Sequence, residues 1–307
     1  MNRWKTGLML ALVALAGCTS LTGGKPDWVD NPKSAYPEDR YLVAVGEGDT
    51  RQAAENSAAA KLSRIFESRI ESDERLLDQS VETLDSFSRT TDFTSDVNIL
   101  SSQTLYNIQN AEAWKDDLGR YHAVAYLERS TTAEIYRGKI DERTSRVNYL
   151  LANAANADDV LKKYATLRAA YRHAIEADGL LRQLKVIHPR SVPGSTPSYS
   201  MNKLRDELIT TAKQIKVMVD VDGDDEKRMT ATLQEFVTGY GFIVGEPAVL
   251  ELIGKVDVTD TGEREQGLVF VRYELTLQIR AANGDVLVTV RDKGREAHKT
   301  LDQARTR

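Results

Sequence analysis

Three stretches of this 307-residue chain combine residue types that could carry chemistry. The thiol of Cys18, the only cysteine, could act as a nucleophile or be acylated. Gly46-Glu47-Gly48 could offer backbone amides to a phosphate, and the acidic run from Asp220 to Glu226 could offer carboxylates to calcium. Histidines, which often serve acid–base and metal chemistry, are His122, His173, His188 and His298.

The glycines Gly46 and Gly48 lack the spacing of a phosphate-binding loop. A dinucleotide-binding motif requires a third glycine where Arg51 stands, and the carboxylates of Glu47 and Asp49 would repel a phosphate. An apolar run precedes the two glycines, and an alanine-rich helical pattern follows them. We therefore predict a structural turn between a strand and a helix.

The acidic run that begins at Asp220 does not follow the EF-hand pattern. That loop requires glycine at its sixth position and glutamate at its twelfth, where this chain has Asp225 and Ala231. A solvated strand end, followed by a helix whose N-terminal dipole favours acids, explains the same residues. The histidines are scattered without metal-ligand spacing. The sequence therefore predicts no metal site, no cofactor, no catalytic residue and no enzymatic activity, and it identifies no ligand-binding residue.

Cys18 stands at the end of a secretion signal. Arg3 and Lys5 precede an apolar run over residues 8–16, which is too short to span a bilayer as a helix. Leu15-Ala16-Gly17-Cys18 resembles the lipobox of bacterial lipoproteins, and this implies that the chain is cut before Cys18 and that Cys18 is acylated with fatty acids such as palmitate. Thr19 is not the aspartate that commonly retains such proteins in the inner membrane. We therefore expect a lipid anchor in the outer membrane, with the chain facing the periplasm.

Charge and composition restrict the partners further. Removal of residues 1–17 would take away Arg3 and Lys5 and no acid, which changes the formal net charge from −5 to −7. A chain this acidic is not expected to bind nucleic acid. The only thiol would be acylated, so no disulfide is expected. The length suggests about two domains.

The N-terminal half shows a tether followed by an α+β pattern. Residues 18–37 are rich in Gly, Pro, Ser and Thr and are interpreted as the tether, and residues 38–132 as an N-terminal α+β domain. In this domain we predict a helix over 51–71 and a hairpin that turns at 115–119. The periodicity of residues 72–102 is too weak to predict their structure. The apolar stripe of the helix consists of Ala54, Ala58, Leu62, Ile65 and Phe66.

The C-terminal half begins with a helical pattern. We predict a helical hairpin over 133–188, packed within the chain rather than as a self-associating coiled coil, and a linker over 189–200. The C-terminal α+β domain, 201–307, shows a strand, a helix and several further strands, with a weakly supported last helix after Gly294. The predicted fold class is α+β, with two helix-on-antiparallel-sheet lobes joined by the hairpin. Four aromatic residues are assigned to the core or the helical seam rather than to a ligand cage, namely Trp28, Trp114, Tyr164 and Tyr171.

Two segments resemble a known family. Pro26-Asp27-Trp28-Val29 is followed by Leu42-Val43-Ala44-Val45-Gly46-Glu47-Gly48 and then by an alanine-rich helix, and Ala113-Trp114-Lys115-Asp116-Asp117 is followed by Tyr121 to Leu127. Together they resemble the lipoprotein-20 (LPP-type) family of bacterial outer-membrane lipoproteins over about residues 26–132. The family includes flagellar outer-membrane lipoproteins and surface antigens. The resemblance implies an envelope structural or interaction protein and transfers no catalytic residue.

The leading hypothesis is therefore a non-enzymatic, lipid-anchored scaffold that binds an envelope protein, with a flagellar assembly as one setting. Two alternatives stay open. One is a periplasmic carrier of a lipid or small ligand, which should purify with its cargo. The other is a regulator of a peptidoglycan synthase, which should bind that enzyme directly and change its rate.

Overall fold

Residues 24–81, 105–301 and 303 are described by the structure, which is a computed structural model. Cys18, the first part of the predicted tether and residues 82–104 lie outside the described residues. The chain forms two compact units, the first within residues 1–62 and 108–127 and the second within residues 63–107 and 128–307. None of the helices in the described part of the chain has the length and apolarity required to cross a bilayer.

The first unit is a three-stranded sheet with the start of a long helix. Two short helices, α1 (Asp27–Asp30) and α2 (Pro32–Ala35), precede β1 (Tyr41–Gly48). The hairpin of β2 (Gln109–Lys115) and β3 (Tyr121–Glu128) completes the sheet in the order β1-β3-β2. The predicted hairpin is confirmed, since β2 and β3 pair antiparallel.

The helix α3 (Arg51–Val81) extends ten residues beyond its predicted end at Glu71. No glycine or proline interrupts residues 51–81, so the backbone continues as a helix although the apolar pattern weakens. Ala54, Ala58, Leu62 and Phe66 are buried as the predicted stripe requires. Ile65 was also assigned to this stripe, and that assignment is wrong because its side chain is 39% exposed.

The second unit contains the predicted helical hairpin. It consists of α4 (Arg129–Ala155) and α5 (Val160–Ile187), which pack against each other. The Asp159 carboxylate accepts a hydrogen bond of 2.8 Å from the backbone N–H of Lys162 and thereby caps the start of α5. Two 3₁₀ turns, Pro189–Ser191 and Pro193–Ser195, follow the hairpin.

The rest of the second unit is a five-stranded sheet with two helices. The sheet has the strand order β5-β4-β6-β7-β8, and β6, β7 and β8 pair antiparallel. The elements are, in chain order, α6 (Met201–Ala212), β4 (Lys216–Asp222), α7 (Arg228–Gly239), β5 (Ile243–Val244), β6 (Leu250–Glu265), β7 (Leu268–Ala281) and β8 (Val286–His298).

Two expectations for this sheet are corrected. The α+β class is confirmed, but the C-terminal sheet is mixed rather than antiparallel, because β4 is parallel to both β5 and β6. The helix α7 between β4 and β5 brings the chain back to the same end of the sheet, as a parallel pair requires. The last helix expected after Gly294 does not begin there, since β8 continues through Gly294 to His298. Residues 301 and 303 are helical, and residues 302 and 304–307 lie outside the described part of the chain. A Cβ at Gly294 would lie 2.6 Å from the ring of Tyr273, so packing on the neighbouring strand explains this glycine.

One hydrophobic core joins the hairpin to the C-terminal sheet. Leu167 of the hairpin, Leu204 of α6 and Leu252 of β6 belong to the same buried cluster. The segment 189–200, predicted as a linker, forms tight turns within this unit and buries Ser195. The boundaries of the compact units therefore differ from the domain boundaries predicted from the sequence. Residues 189–200 were predicted as a linker because they are rich in prolines and serines, but these residues are equally typical of packed turns.

A candidate interaction surface at the β8 edge

Four exposed apolar side chains of the sheet lie on β8, one of its two outermost strands, whereas the other, β5, exposes Ile243. A row of paired residues crosses the sheet from Val219 through Leu252 and Ile279 to Val288. Residues paired directly across strands point to the same face. The first three belong to the core cluster or pack against it, whereas Val288 is 46% exposed. The apolar face of the sheet therefore extends beyond the part that the core covers.

Four neighbouring apolar side chains define this surface, which we term the β8 edge patch. Val286 is 51%, Leu287 55%, Val288 46% and Val290 50% exposed. The strand order places β8 at one end of the sheet, so within the described ranges its outer edge pairs with no other strand. Exposed apolar residues on an unpaired strand edge are typical of surfaces that bind another protein segment.

The two halves of β8 differ in charge. Its second half carries alternating charges of both signs, a common device against unwanted strand pairing. The first half contains no charged residue from Val286 to Val290. The ladder between β7 and β8 shifts at Leu287, because Ile279 pairs with Val288 and Arg280 with Val286. Regular pairing along the outer edge is therefore favoured only over a short segment. The charged residues of the second half are Arg291, Asp292, Lys293, Arg295 and Glu296.

Gly46, Glu47 and Gly48 form the end of β1, so the turn predicted at these residues is wrong, and the bend follows at residues 49–50. A Cβ added at Gly46 would lie 2.1 Å from the backbone nitrogen of Ala58 and 2.4 Å from the carbonyl oxygen of Ala54. Glu47, which the sequence placed beside a hypothetical phosphate, lies with its Oε2 3.5 Å from Nη2 of Arg120. The close approach of β1 to α3 therefore accounts for Gly46. An ion pair across the sheet accounts for Glu47.

The acidic run after β4 provides a helix cap. Oδ2 of Asp224 accepts hydrogen bonds from the backbone N–H of Thr230 at 2.7 Å and from its hydroxyl at 2.8 Å. Desolvation alone would raise the pKa of Asp224, but the hydrogen bonds from Thr230 outweigh it and lower that pKa below its ordinary value. Among the described residues, no three His, Cys, Asp or Glu side chains form a group that could hold a metal ion.

Replacing Asp224 with alanine should destabilise α7. The N–H and hydroxyl of Thr230 would both lose their acceptor, and loss of a helix cap typically costs about 1 kcal/mol. We expect the free energy of unfolding, measured by urea titration and circular dichroism, to fall by about that amount. The variant Asp225→Ala is the control, and equal losses in the two variants would contradict the capping role. Millimolar calcium should not change either value.

The histidines that the sequence singled out lie in separate places. Nε2 of His122 lies 3.1 Å from Oδ2 of Asp116, and its ring lies 5.4 Å from that of Trp114 at an angle of 37°. His173 lies 3.5 Å from the carboxylate of Glu176. Nδ1 of His188 lies 2.7 Å from the Ser191 hydroxyl in the first 3₁₀ turn, and His298 ends β8. The four histidines therefore do not share a site.

Asp116 organises the turn between β2 and β3. Its side chain accepts hydrogen bonds from the backbone N–H groups of Leu118 at 3.0 Å and Arg120 at 2.8 Å, besides its contact with His122. The hydrogen bond with His122, followed by that from Arg120, holds the pKa of Asp116 below its ordinary value. The folded state therefore favours the carboxylate, and the resulting stability is present above the ordinary pKa and is lost as the pH falls through the lowered one.

This linkage predicts a pH-dependent effect of Asp116→Asn. The variant should be less stable than the parent protein at pH 7, and the difference should shrink as the pH falls below about 4. Thermal melts of both proteins from pH 7 to pH 2.5 measure this difference. The neighbouring Asp117→Asn serves as the control. A difference for Asp116→Asn that stays constant over the whole pH range would exclude a role for its charge.

The aromatic residues have structural contacts. Trp28 and Tyr164 are buried, as expected for core residues. The sequence did not indicate a cluster on the first sheet, where the rings of Tyr36, Tyr41 and Tyr126 lie 5.2–5.7 Å apart. Burial, assisted by the nearby Glu112 carboxylate, raises the pKa of Tyr36 to about 12. Tyrosines are spread through the sequence, so only the sheet brings these three together.

The N-terminal region matches a family of lipoproteins. Residues 26–128 match the model of the LPP20 lipoprotein family, and this confirms the resemblance found over residues 26–132. The match covers about a third of the chain and includes the whole of the first sheet. This segment is therefore similar to LPP20 lipoproteins, which supports a lipoprotein class for the chain.

Two solved structures are similar to the chain. The crystal structure of the secreted protein HP1454 from the human pathogen Helicobacter pylori aligns with a TM-score of 0.45 at 16% identity, over 83% of this chain and 87% of that chain. A minor lipoprotein from Acinetobacter baumannii aligns with a TM-score of 0.22 at 14% identity, over 30% of this chain and 72% of that chain. No curated protein sequence matches the chain.

Proposed function

We propose that this protein is a lipid-anchored, non-enzymatic scaffold of the outer membrane that faces the periplasm and binds a protein partner in an envelope assembly. The observation that carries the proposal is the β8 edge patch, a group of exposed apolar residues on an unpaired strand edge of the described sheet. The signal sequence that ends at Cys18 and the LPP20 segment support the anchor and the envelope location.

The size of the β8 edge patch suits protein binding. Full burial of a valine or leucine side chain is worth about 1.5–3 kcal/mol, and the four side chains are each about half exposed. Covering them would therefore contribute roughly 3–6 kcal/mol before the cost of association. Hydrogen bonds along the outer edge of β8 would add to this gain, as they do when a peptide extends a sheet.

The anchor would confine the patch to the membrane surface. Each buried acyl CH₂ group is worth about 0.8 kcal/mol, so several chains on Cys18 would hold the protein at the membrane almost permanently. Confinement raises the local concentration of partners, and a patch of moderate affinity then suffices for assembly.

Site-specific photo-crosslinking in cells tests the proposal. A photoreactive residue at Leu287 in the full chain should yield a defined crosslinked protein, and one at the exposed turn residue Leu118 should not yield the same product. Replacing Cys18 with alanine should remove both the membrane fraction and the product. If Leu287 yields no protein product, or if the product persists without Cys18, the proposed function is wrong.

A further inference from the structure

We propose that the core-side face of the C-terminal sheet, where it extends beyond the hydrophobic core, binds a basic amphipathic helix of a partner protein. We term this surface the acidic sheet face. The inference rests on the proposed function, because it gives the chemistry of the protein that is bound. The apolar and aromatic side chains of the acidic sheet face are Val256, Val258, Tyr273, Leu275, Leu277 and Val290.

Strand pairing shows that the acidic sheet face continues the buried face of the sheet. Leu252 and Ile279 form the last row of paired residues that belongs to the core cluster or packs against it. Residues paired across strands share a face, and so do residues two apart along a strand. The register irregularities, after Asp260 and between Ile279 and Arg280, lie outside the next three rows. These rows are Gly254 with Leu277 and Val290, Val256 with Leu275 and Asp292, and Val258 with Tyr273 and Gly294.

The helix layer of this unit lies over other strands of the sheet. The helix α7 packs against β4 and β5. Leu275 and Leu277 on β7 neither belong to the core cluster nor pack against it. Both are half-buried, whereas Leu252 within the cluster is 6% exposed. Since an apolar sheet face is normally buried against a second layer, these rows are suited to a helix from another chain.

The charged residues of β8 are sorted by sign between the two faces of the sheet. On the acidic sheet face, Asp292 lies in the row of Leu275, and Glu296 lies two rows further. Mixed charges are sufficient to discourage unwanted strand pairing, so this device does not require sorting by face. The sorting indicates that the acidic sheet face receives a positively charged partner. The β8 cations on the opposite face are Arg291, Lys293 and Arg295.

Two carboxylates of the acidic sheet face are available to a cation. Among the described residues, neither Asp292 nor Glu296 forms an ion pair. Asp260, which lies on the same face, is paired with Arg264. The Tyr273 hydroxyl donates a hydrogen bond of 3.2 Å to Oδ2 of Asp292. A carboxylate has about four acceptor sites, so Asp292 can also accept from a lysine or arginine of a partner.

The same charges decide between partners of different chemistry. An anionic bilayer surface would repel the carboxylates of the acidic sheet face. A second copy that presented the same face would bring its own carboxylates against them, and the whole chain has a formal net charge of −5. A basic helix gains from the apolar contact and from the charges together.

The dimensions of the acidic sheet face suit one short helix. From Tyr273 to Leu277 the strand advances about 14 Å, and three neighbouring strands extend over about 10 Å. A helix rises about 1.5 Å per residue and is about 10–12 Å wide, so about nine residues cover this area. Apolar residues at three- and four-residue spacing would then face the sheet, and basic residues beside them would reach the carboxylates.

Site-specific photo-crosslinking of the full chain in cells tests the inference. With a photoreactive residue at Leu275, we expect a crosslink to a partner segment that has an excess of Lys and Arg and apolar residues at helical spacing. Mass spectrometry of the digested product identifies this segment. A photoreactive residue at Thr276 is the matched control, because Thr276 pairs with Arg291 on the opposite face and should not yield the same product.

Charge variants separate recognition of a basic partner from a structural effect. Asp292→Lys together with Glu296→Lys should lower the crosslink yield at Leu275 about tenfold or more, because cations would then meet the basic helix. Asp292→Asn together with Glu296→Gln removes the charges but keeps hydrogen-bond acceptors, and it should lower the yield about threefold. Arg291→Glu together with Lys293→Glu changes the opposite face of the same strand and should leave the yield within about twofold.

The outcomes distinguish this inference from the proposed function. A crosslink from Leu275 to an acidic or uncharged segment, to a lipid, to a second copy or to another part of this chain would overturn the inference. An equal loss of yield in the charge variants of both faces would also overturn it. If Leu287 crosslinks to a protein and Leu275 does not, the inference falls and the proposed function stands. If neither position yields a protein, both fall.

Discussion

Replacing Gly46 with alanine is expected to lower the free energy of unfolding of the first unit by about 3 kcal/mol or more. The added Cβ would lie 2.1 Å from the backbone nitrogen of Ala58 and 2.4 Å from the carbonyl oxygen of Ala54. Both are backbone atoms of α3 and cannot rotate away as a side chain could. The strand would have to move off the helix and separate a fully buried contact.

Tryptophan fluorescence during urea unfolding would measure this loss, because Trp28 and Trp114 both lie in the first unit. Gly138→Ala is the matched control, since a Cβ at that position in α4 meets no atom within 4 Å. Helix propensity predicts that Gly138→Ala gains up to about 1 kcal/mol in the second unit, measured by far-UV circular dichroism, while the tryptophan midpoint should not fall. Equal unfolding midpoints for Gly46→Ala and the parent would show that the sheet and helix can separate without cost.

Replacing Arg129 with methionine is expected to destabilise the second unit by about 2–3 kcal/mol. Nη1 of Arg129, the first residue of α4, donates to the carbonyl oxygens of Val186 at 2.9 Å and of Ile187 at 2.5 Å. These carbonyls end α5, where the helix dipole favours a cation and few backbone donors remain. Methionine keeps much of the side-chain volume but leaves the buried carbonyl of Ile187 and the partly buried carbonyl of Val186 without this donor.

Urea titration followed by far-UV circular dichroism would measure the effect of Arg129→Met. Arg137→Met in the same helix is the control, because among the described residues Arg137 pairs with the exposed carboxylate of Glu134. Exposed ion pairs contribute about 0–1 kcal/mol. If both variants lost the same small amount, the contact of Arg129 with the end of α5 would have no stabilising role.

Local patterns predicted the elements that these two experiments probe. The run before Gly46 and the alanine stripe of α3 indicated a strand that approaches a helix closely, and the structure places Ala54 and Ala58 in that contact. The role of Arg129 could not be predicted, because its acceptors lie 57 and 58 residues further along the chain. Only the antiparallel hairpin brings the two ends together.

The candidate surface was only partly predictable for a similar reason. The sequence indicated several strands in the C-terminal domain, but a strand pattern does not show which strand of a sheet is outermost. The parallel pairing of β4 with β6 gives the strand order and leaves β8 at the end. An apolar segment such as Val286–Val290 would be expected to form a buried strand. Its exposure can therefore be seen only from the sheet topology.

The hydrophobic core shared by the hairpin and the C-terminal sheet also determines how this protein can be divided into fragments. A fragment that ended in the proline-rich segment after α5 would expose Leu167, and its complement would expose Leu204 and Leu252. Neither piece would retain the apolar contacts that stabilise it, so both would tend to aggregate. From the start of the hairpin to the end of the sheet, the chain should therefore be expressed, unfolded and degraded as one cooperative element.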